Sequence, residues 1–336
     1  MIRIKSEFEY MIQDMKNQTV RDVYKLKLIS TSIPYLFAGI DTLNMHRKLY
    51  VDLGKQPLEE EQIRSLPRWR GLSVKMEYFE RIGPLKERYF LILSQESEES
   101  PEIFESVLQN LIDHIIHMEY EDTLFNVTYR VLDKWRIFFS RGGYKRLNDE
   151  KQQGLFGELF YIKKWMERFP NQPPLLIENW EGPTSGRIDF KNHKYGVEIK
   201  TSTEGLRKEI KISNEKQLSL TDTVRNLYLY VCFIEINQTE GATLQEIVDR
   251  IREILVERSQ RLLLRFNDLL LEMGFKDGEY VDKLFFVHEE KNYHVTDCFP
   301  KISADSLPLG ISHVSYYIDL THCKEYECTL EEVFKL

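Results

Sequence analysis

The sequence predicts an α/β (α+β) protein in two parts, residues 1–145 and 146–336. Three observations carry this reading. Two short runs that alternate apolar and polar residues flank Asn192-His193, the pattern of a β-hairpin. Upstream, Leu155, Leu159, Ile162 and Trp165 recur at helical spacing and give an amphipathic helix with a core-facing stripe. Downstream, the apolar run Asn226-Leu-Tyr-Leu-Tyr-Val-Cys-Phe-Ile-Glu-Ile236 is too short to span a membrane and reads as a central strand.

The hairpin lies in Arg187-Ile-Asp-Phe-Lys-Asn-His-Lys-Tyr-Gly-Val-Glu-Ile-Lys200. A two-residue turn at Asn192-His193 pairs Lys191 with Lys194, Phe190 with Tyr195 and Asp189 with Gly196. Side chains alternate faces along a strand. Ile188, Phe190, Tyr195, Val197 and Ile199 therefore share a core face, and Arg187, Asp189, Gly196, Glu198 and Lys200 share the other. Gly196 leaves open space across from Asp189. Two converging carboxylates suit a hard divalent cation such as Mg2+, which keeps several waters for itself. Lys200, two residues past the second acid, can orient or help deprotonate a water there. A solvated charged face is the ordinary meaning of such alternation. Standing alone, the hairpin would mean no more.

It does not stand alone. In Gln153-Gly-Leu-Phe-Gly-Glu-Leu-Phe-Tyr-Ile-Lys-Lys-Trp165, Glu158 falls on or beside the apolar stripe. A buried acid is costly unless it is paired or binds a metal. The plain alternative is a first-turn charge answering the helix dipole. Asn148, Asp149 and Glu150 already offer the helix start, so Glu158 lies past that turn. After the hairpin, Lys208-Glu-Ile-Lys-Ile212 leads into Ser213-Asn-Glu-Lys-Gln-Leu218. Ser213 reads as an N-cap and Glu215 as a first-turn acid. The helix they open returns Gln217 to the hairpin, where its amide can donate to a phosphate or position a water.

Composition sets bounds. At 336 residues with 42% hydrophobic side chains, the chain can pack a substantial core and is not disordered. Its start, Met-Ile-Arg-Ile-Lys-Ser-Glu7, lacks the apolar region of a signal peptide. The expectation is a soluble, cytoplasmic protein without a membrane segment. Cys232, Cys298, Cys323 and Cys328 are too few for a disulfide framework. His322, Cys323 and Cys328 hint at zinc but lack a second CxxC-like pair, which favours reduced structural thiols. The net charge of −8 excludes a generic basic coat for nucleic acid. Locally, Arg187, Lys191, Lys194, Lys200, Arg207, Lys208, Lys211 and Lys216 surround the acids and are the candidate phosphate contacts.

The first part mixes strand-like runs, Lys48–Leu53, Leu72–Met76 and Tyr89–Leu93, with a helix opened by Pro101. Trp135-Arg-Ile-Phe-Phe139 fits a strand or a short helix before the break at Arg141-Gly-Gly143. His114 and His117 sit beside apolar neighbours on the Pro101 helix and read as structural. In the second part, a long helix runs from Thr243 to about Met273 and ends at Gly274. Val281–Val287 and Val314–Leu320 read as strands. No phosphate-cradling glycine loop occurs, which argues against ATP hydrolysis.

An acid-bearing helix, an Asp…Glu-x-Lys hairpin and a Gln-bearing helix, in that order, resemble the PD-(D/E)xK nuclease superfamily. The wording around the motif is closer still to a family of PD-(D/E)xK proteins found in bacterial restriction and phage-defence gene clusters. The matching stretches are Gly154-Leu-Phe-Gly-Glu-Leu159, Gly186-Arg-Ile-Asp-Phe190, Val197-Glu-Ile-Lys-Thr201 and Ile212-Ser-Asn-Glu-Lys-Gln-Leu218. Cys298–Ile302 through Val314–Leu320 is similar to that family's C-terminal part. Ile188 stands where the superfamily name has proline, at a position that varies widely.

The resemblance implies a restriction-endonuclease-like core, a mixed central sheet flanked by helices, with a C-terminal elaboration. Residues 1–145 would be an α+β platform for DNA or for a partner. The resemblance further implies metal ligation by Asp189 and Glu198, helped by the Ile199 carbonyl, with Mg2+ or Mn2+ as the ion. Lys200 would align the attacking water and stabilise the phosphorane. Glu158 would orient a water or share a second metal, and Arg187, Ser213 and Gln217 would contact substrate. The expected function is a metal-dependent endodeoxyribonuclease of restriction or phage defence. It would be aided by partner subunits or by homodimerisation. The competing expectations are a non-catalytic DNA- or protein-binding subunit on the same fold, and a nuclease acting on RNA.

Overall fold

In a computed structural model of the chain, the residues described are 2–16, 24–32, 34–96, 101–182, 188–203, 208–219, 224–237, 239–303 and 306–335. The chain divides into two compact units, Met1–Gly143 and Tyr144–Leu336.

The first unit opens with α1 (Ile4–Lys16), which buries Ile4, Phe8, Met11 and Met15 at helical spacing. Five strands follow: β1 (Tyr24–Ser30), β2 (Leu36–Asp41), β3 (Arg47–Gly54), β4 (Leu72–Ile82) and β5 (Leu85–Gln95). The short α2 (Glu60–Ser65) separates β3 from β4. The sheet runs β1-β2-β3-β5-β4 and is antiparallel throughout. Two helices complete the unit, α3 (Pro101–Ile116) and α4 (Leu124–Ser140). Trp135–Phe139 is helical, because the stripe Val127, Val131, Leu132, Trp135 and Phe138 continues upstream of it to the Thr123 cap. His114 and His117 each place Nδ1 2.8 Å from a carbonyl one turn back, on Asn110 and Asp113.

The second unit begins with α5 (Asp149–Arg168), capped by the Asn148 side chain on the Lys151 amide. After α6 (Leu176–Asn179) come β6 (Phe190–Lys191), β7 (Tyr195–Ser202), β8 (Glu209–Ile212) and β9 (Asn226–Asn237). Then follow α7 (Leu244–Arg258), α8 (Gln260–Glu272), β10 (Leu284–His294), β11 (Tyr316–Asp319) and α9 (Leu330–Val333). The main sheet, β10-β9-β7-β6, is mixed: β7 and β9 are parallel, and the outer pairs are antiparallel. β9 is buried on both faces. Tyr228, Tyr230, Cys232 and Ile234 pack with α5, α7 and α8, while Leu227, Leu229, Val231 and Phe233 pack with Ile210, Ile212 and Ile318. β8 and β11 form a separate antiparallel ribbon.

Several expectations are corrected. The hairpin pairs Phe190 with Val197 and Lys191 with Gly196, so the turn is two residues longer than expected. The Asn192 side chain closes it by accepting from the amides of Lys194 and Tyr195. A slip of two residues preserves which side chains share a face, so the grouping on β7 survives. Ile188 precedes the short β6 and packs in the cluster opposite Phe190. The space over Gly196 is filled: a Cβ there would meet Val224 and Ile188 at 3.1 and 3.2 Å. The predicted long helix is two, α7 and α8, broken at Ser259, whose extended backbone and hydroxyl cap the Leu262 amide. Residues 281–283 precede the strand rather than join it, with Val281 exposed. Ser213–Leu218 is a turn and not a helix, held by Asn214, which accepts the Lys216 and Gln217 amides.

The approach of α5 to β7 depends on Gly157. A Cβ at that position would lie 2.1 Å from Thr201 Oγ1 and 3.3 Å from Ile199 Cγ2. One turn earlier, a Cβ on Gly154 would meet nothing within 4 Å. The two glycines therefore respond oppositely to alanine. Gly157→Ala overpacks the interface and should cost about 1–3 kcal/mol, whereas Gly154→Ala should stabilise by about 0.5–1 kcal/mol through helix propensity. Urea denaturation of the two variants checks both signs.

Candidate active site

Glu198, Ile199 and Lys200 are consecutive on β7, in the middle of a two-sided core. Asp189, just ahead of β6, is pinned from two directions. Its carbonyl accepts the Glu181 amide at 2.9 Å, and its Oδ2 accepts the Ile199 amide at 2.7 Å. The carboxylate thus rests on the peptide group between Glu198 and Lys200. Ile199 contributes its N–H here, where the family resemblance implies a role for its carbonyl.

Glu198 is 1% exposed. Its Oε1 pairs with Lys200 Nζ at 2.8 Å, while its buried Oε2 has no hydrogen-bond partner among the described residues. Lys200 also donates to Gln217 Oε1 at 3.1 Å, and the same oxygen accepts the Ser213 amide at 2.9 Å. Gln217 therefore reaches the hairpin as expected, from a turn. That turn is braced from the C-terminal part of the chain, where the Val314 amide donates to buried Glu215 at 2.9 Å. Glu158 comes from α5, and its Oε2 accepts the Trp180 indole N–H at 2.6 Å.

The electrostatics follow from burial. Glu158 is raised well above the ordinary carboxylate range by burial, then by the Asp189 charge, against the Trp180 hydrogen bond. Burial also raises Asp189, outweighing Lys200 and the Ile199 amide. Glu198 is pushed up to about 8 by burial and by Asp189, with Lys200 opposing. Burial pulls Lys200 down, but Glu198 and Asp189 outweigh it and leave the ammonium raised. Three acids around one lysine carry a surplus negative charge when all are ionised, and a buried carboxylate oxygen without a hydrogen-bond partner among the described residues suits a cation. The residues fit a hard divalent cation held by Asp189 and Glu198. Among the described residues no group of three His, Cys, Asp or Glu side chains is placed to hold a metal ion.

The remaining expected residues divide. Arg187 and Arg207 lie outside the described residues. Ser213 is exposed and engages Gln217 through its main chain. Lys191 pairs with Glu181 and Lys208 with Glu289, which removes both from the free cationic surface. Lys194 and Lys211 are exposed without an acidic partner among the described residues. All four cysteines are free, and Cys232 is fully buried. Gly157 and Trp180 were not foreseen. A glycine inside a helical pattern is a usable signal of close approach. The Trp180–Glu158 hydrogen bond spans 22 residues and leaves no local trace.

The mixed sheet, the acid-bearing helix packed on it and the Asp…Glu-x-Lys arrangement define a PD-(D/E)XK nuclease-like protein. Residues 6–321 match the family described as "Putative PD-(D/E)XK family member, (DUF4420)", and the chain belongs to that family. No curated protein and no solved structure matches the chain significantly. Members of the wider superfamily are generally nucleases and typically use divalent metals. No described helix is long and apolar enough to cross a membrane.

A group whose folded pKa is raised binds more protons folded than unfolded between the two values, so stability falls as pH rises through that window. For Glu198 the window runs from the ordinary carboxylate range to about 8. In chelator, the unfolding free energy should decline from pH 5 to pH 8. The decline should be shallower in Glu198→Gln, and saturating Mg2+ or Mn2+ should offset it in the parent protein, as denaturation across pH would reveal.

Proposed function

We propose that this chain is a metal-dependent endonuclease that hydrolyses DNA phosphodiester bonds as an effector of restriction or phage defence. The observation that carries the proposal is Glu198, buried beside Lys200 with one oxygen lacking a hydrogen-bond partner among the described residues. Membership of a nuclease-like family supports the same reading.

Asp189 and Glu198 would hold a divalent cation, which when bound supplies Lewis acidity toward the phosphoryl group. Lys200, kept protonated by its two acidic neighbours, donates to a phosphoryl oxygen and stabilises the charge that develops there. Gln217 commits its Oε1 to Lys200 and Ser213, which turns its amide NH2 toward substrate. Glu158, fixed by the Trp180 indole, orients the attacking water. Lys194 and Lys211 are among the described cations available for backbone phosphates.

The net charge of −8 weakens unaided DNA binding, because phosphate contacts dominate affinity. Activation by a partner protein or by dimerisation follows, since one centre cuts one strand. Cleavage per protomer should rise with protein concentration or with an added partner. Flat specific activity across concentration, together with efficient double-strand breaks by a monomer, would sink that part.

Asp189→Ala and Glu198→Ala should each reduce Mg2+-dependent cleavage at least about 100-fold and weaken Mn2+ binding. Lys200→Ala should reduce cleavage comparably while retaining the ion. Plasmid nicking and calorimetric Mn2+ titration read the two effects separately. An inert binding subunit on this fold would show no cleavage in the parent protein under any partner condition.

A further inference from the structure

The first unit contains a cleft of about 530 Å3 between the Trp69–Gly71 segment, α3 and α4. That volume lies within the range of small-molecule sites. Its walls are chiefly apolar, with Phe104 and Val107 from α3 and Phe139 from α4. Trp69 and Phe139 stand 5.2 Å apart between ring centroids, tilted by 44°. Two guanidinium groups line the same cleft. Arg136 is bound to Asp133 at 2.6 Å. Arg70 is exposed and has no acidic partner among the described residues.

We propose that this cleft takes an unpaired nucleobase together with its phosphate. A flat aromatic guest stacks on the Trp69 face and packs against Phe104 and Val107, while the unpaired Arg70 guanidinium meets the anionic phosphate at the rim. Aromatic stacking beside a free cation is the chemistry by which unpaired bases are held without sequence preference. A neutral apolar guest would leave Arg70 without a role, and an acidic peptide would leave the aromatic wall unused. The base can come from a nucleic-acid strand or from a free nucleotide. The inference stands on the first unit alone, and its test contains no cleavage step, so it survives or fails apart from the nuclease reading.

Trp135, Trp165 and Trp180 are at most 3% exposed, whereas Trp69 is partly exposed, so quenching of intrinsic fluorescence reports chiefly on this cleft. The full chain in EDTA would be titrated with deoxynucleoside 5′-monophosphates, a short single-stranded oligodeoxynucleotide and the same sequence as a duplex. Calorimetry would supply the affinities of variants. The expected result is quenching by monophosphate or single strand and none by duplex at equal concentration. Tighter binding of the strand assigns nucleic acid as the source, and binding of monophosphate alone assigns a free nucleotide. Trp69→Leu should weaken binding about tenfold or more. Arg70→Glu, a surface change that leaves packing intact, should weaken it several-fold. Absence of binding by both ligands, duplex binding equal to single strand, or unchanged affinity in both variants would overturn the proposal.

Discussion

Three carboxylates withdrawn from water around a single ammonium set the terms for the second unit. Glu158, Asp189 and Glu198 all lie within each other's electrostatic reach, and among the described residues Lys200 is the cation that opposes them. Such a cluster is unfavourable unless the backbone is arranged to hold it. The arrangement is visible in the contacts: the Ile199 amide beneath Asp189, the Trp180 indole on Glu158, and Gln217 on Lys200. Each support comes from a different element, so the site exists only when the elements are assembled. Gly157 belongs to the same set, because it lets α5 come close enough to β7 for the neighbouring Glu158 to reach the acids.

Much of this was legible in the residues. The alternation around Val197, Glu198, Ile199 and Lys200 placed two kinds of side chain on two faces. Because the period of a strand is two, the wrong turn length did not disturb that grouping. The helical stripe of α5 and the acid beside it were likewise plain. Other features depended on information that a local pattern does not hold. Whether the segment after Ser213 continues as a helix or stops as a turn was decided by Asn214, whose side chain accepts the Lys216 amide while its carbonyl accepts that of Gln217. The break at Ser259 was hidden because the leucines of α8 continue the periodicity of α7. The Trp180–Glu158 hydrogen bond was invisible because it joins distant segments.

The first unit shows the same division. Its strands and the Pro101 helix could be read from apolar runs, and the helical stripe that absorbs Trp135–Phe139 became clear only once it was traced back to the Thr123 cap. The cleft beside Trp69 was not legible at all. Its lining residues come from four separated stretches of chain, and only folding makes them neighbours.

The brace between Glu215 and Val314 spans 99 residues, and this has a temporal consequence. Domains fold as units during synthesis, N-terminal first. The first unit is complete in sequence by Gly143, and β6, β7 and β9 are all made by Asn237. Yet β8 has no strand to pair with until Tyr316–Asp319 is made. The Glu215 carboxylate likewise waits for Val314. A growing chain would therefore possess its acids and its lysine long before it possessed the support beneath Gln217. The segment that locks the polar turn into place is made 99 residues after the turn itself.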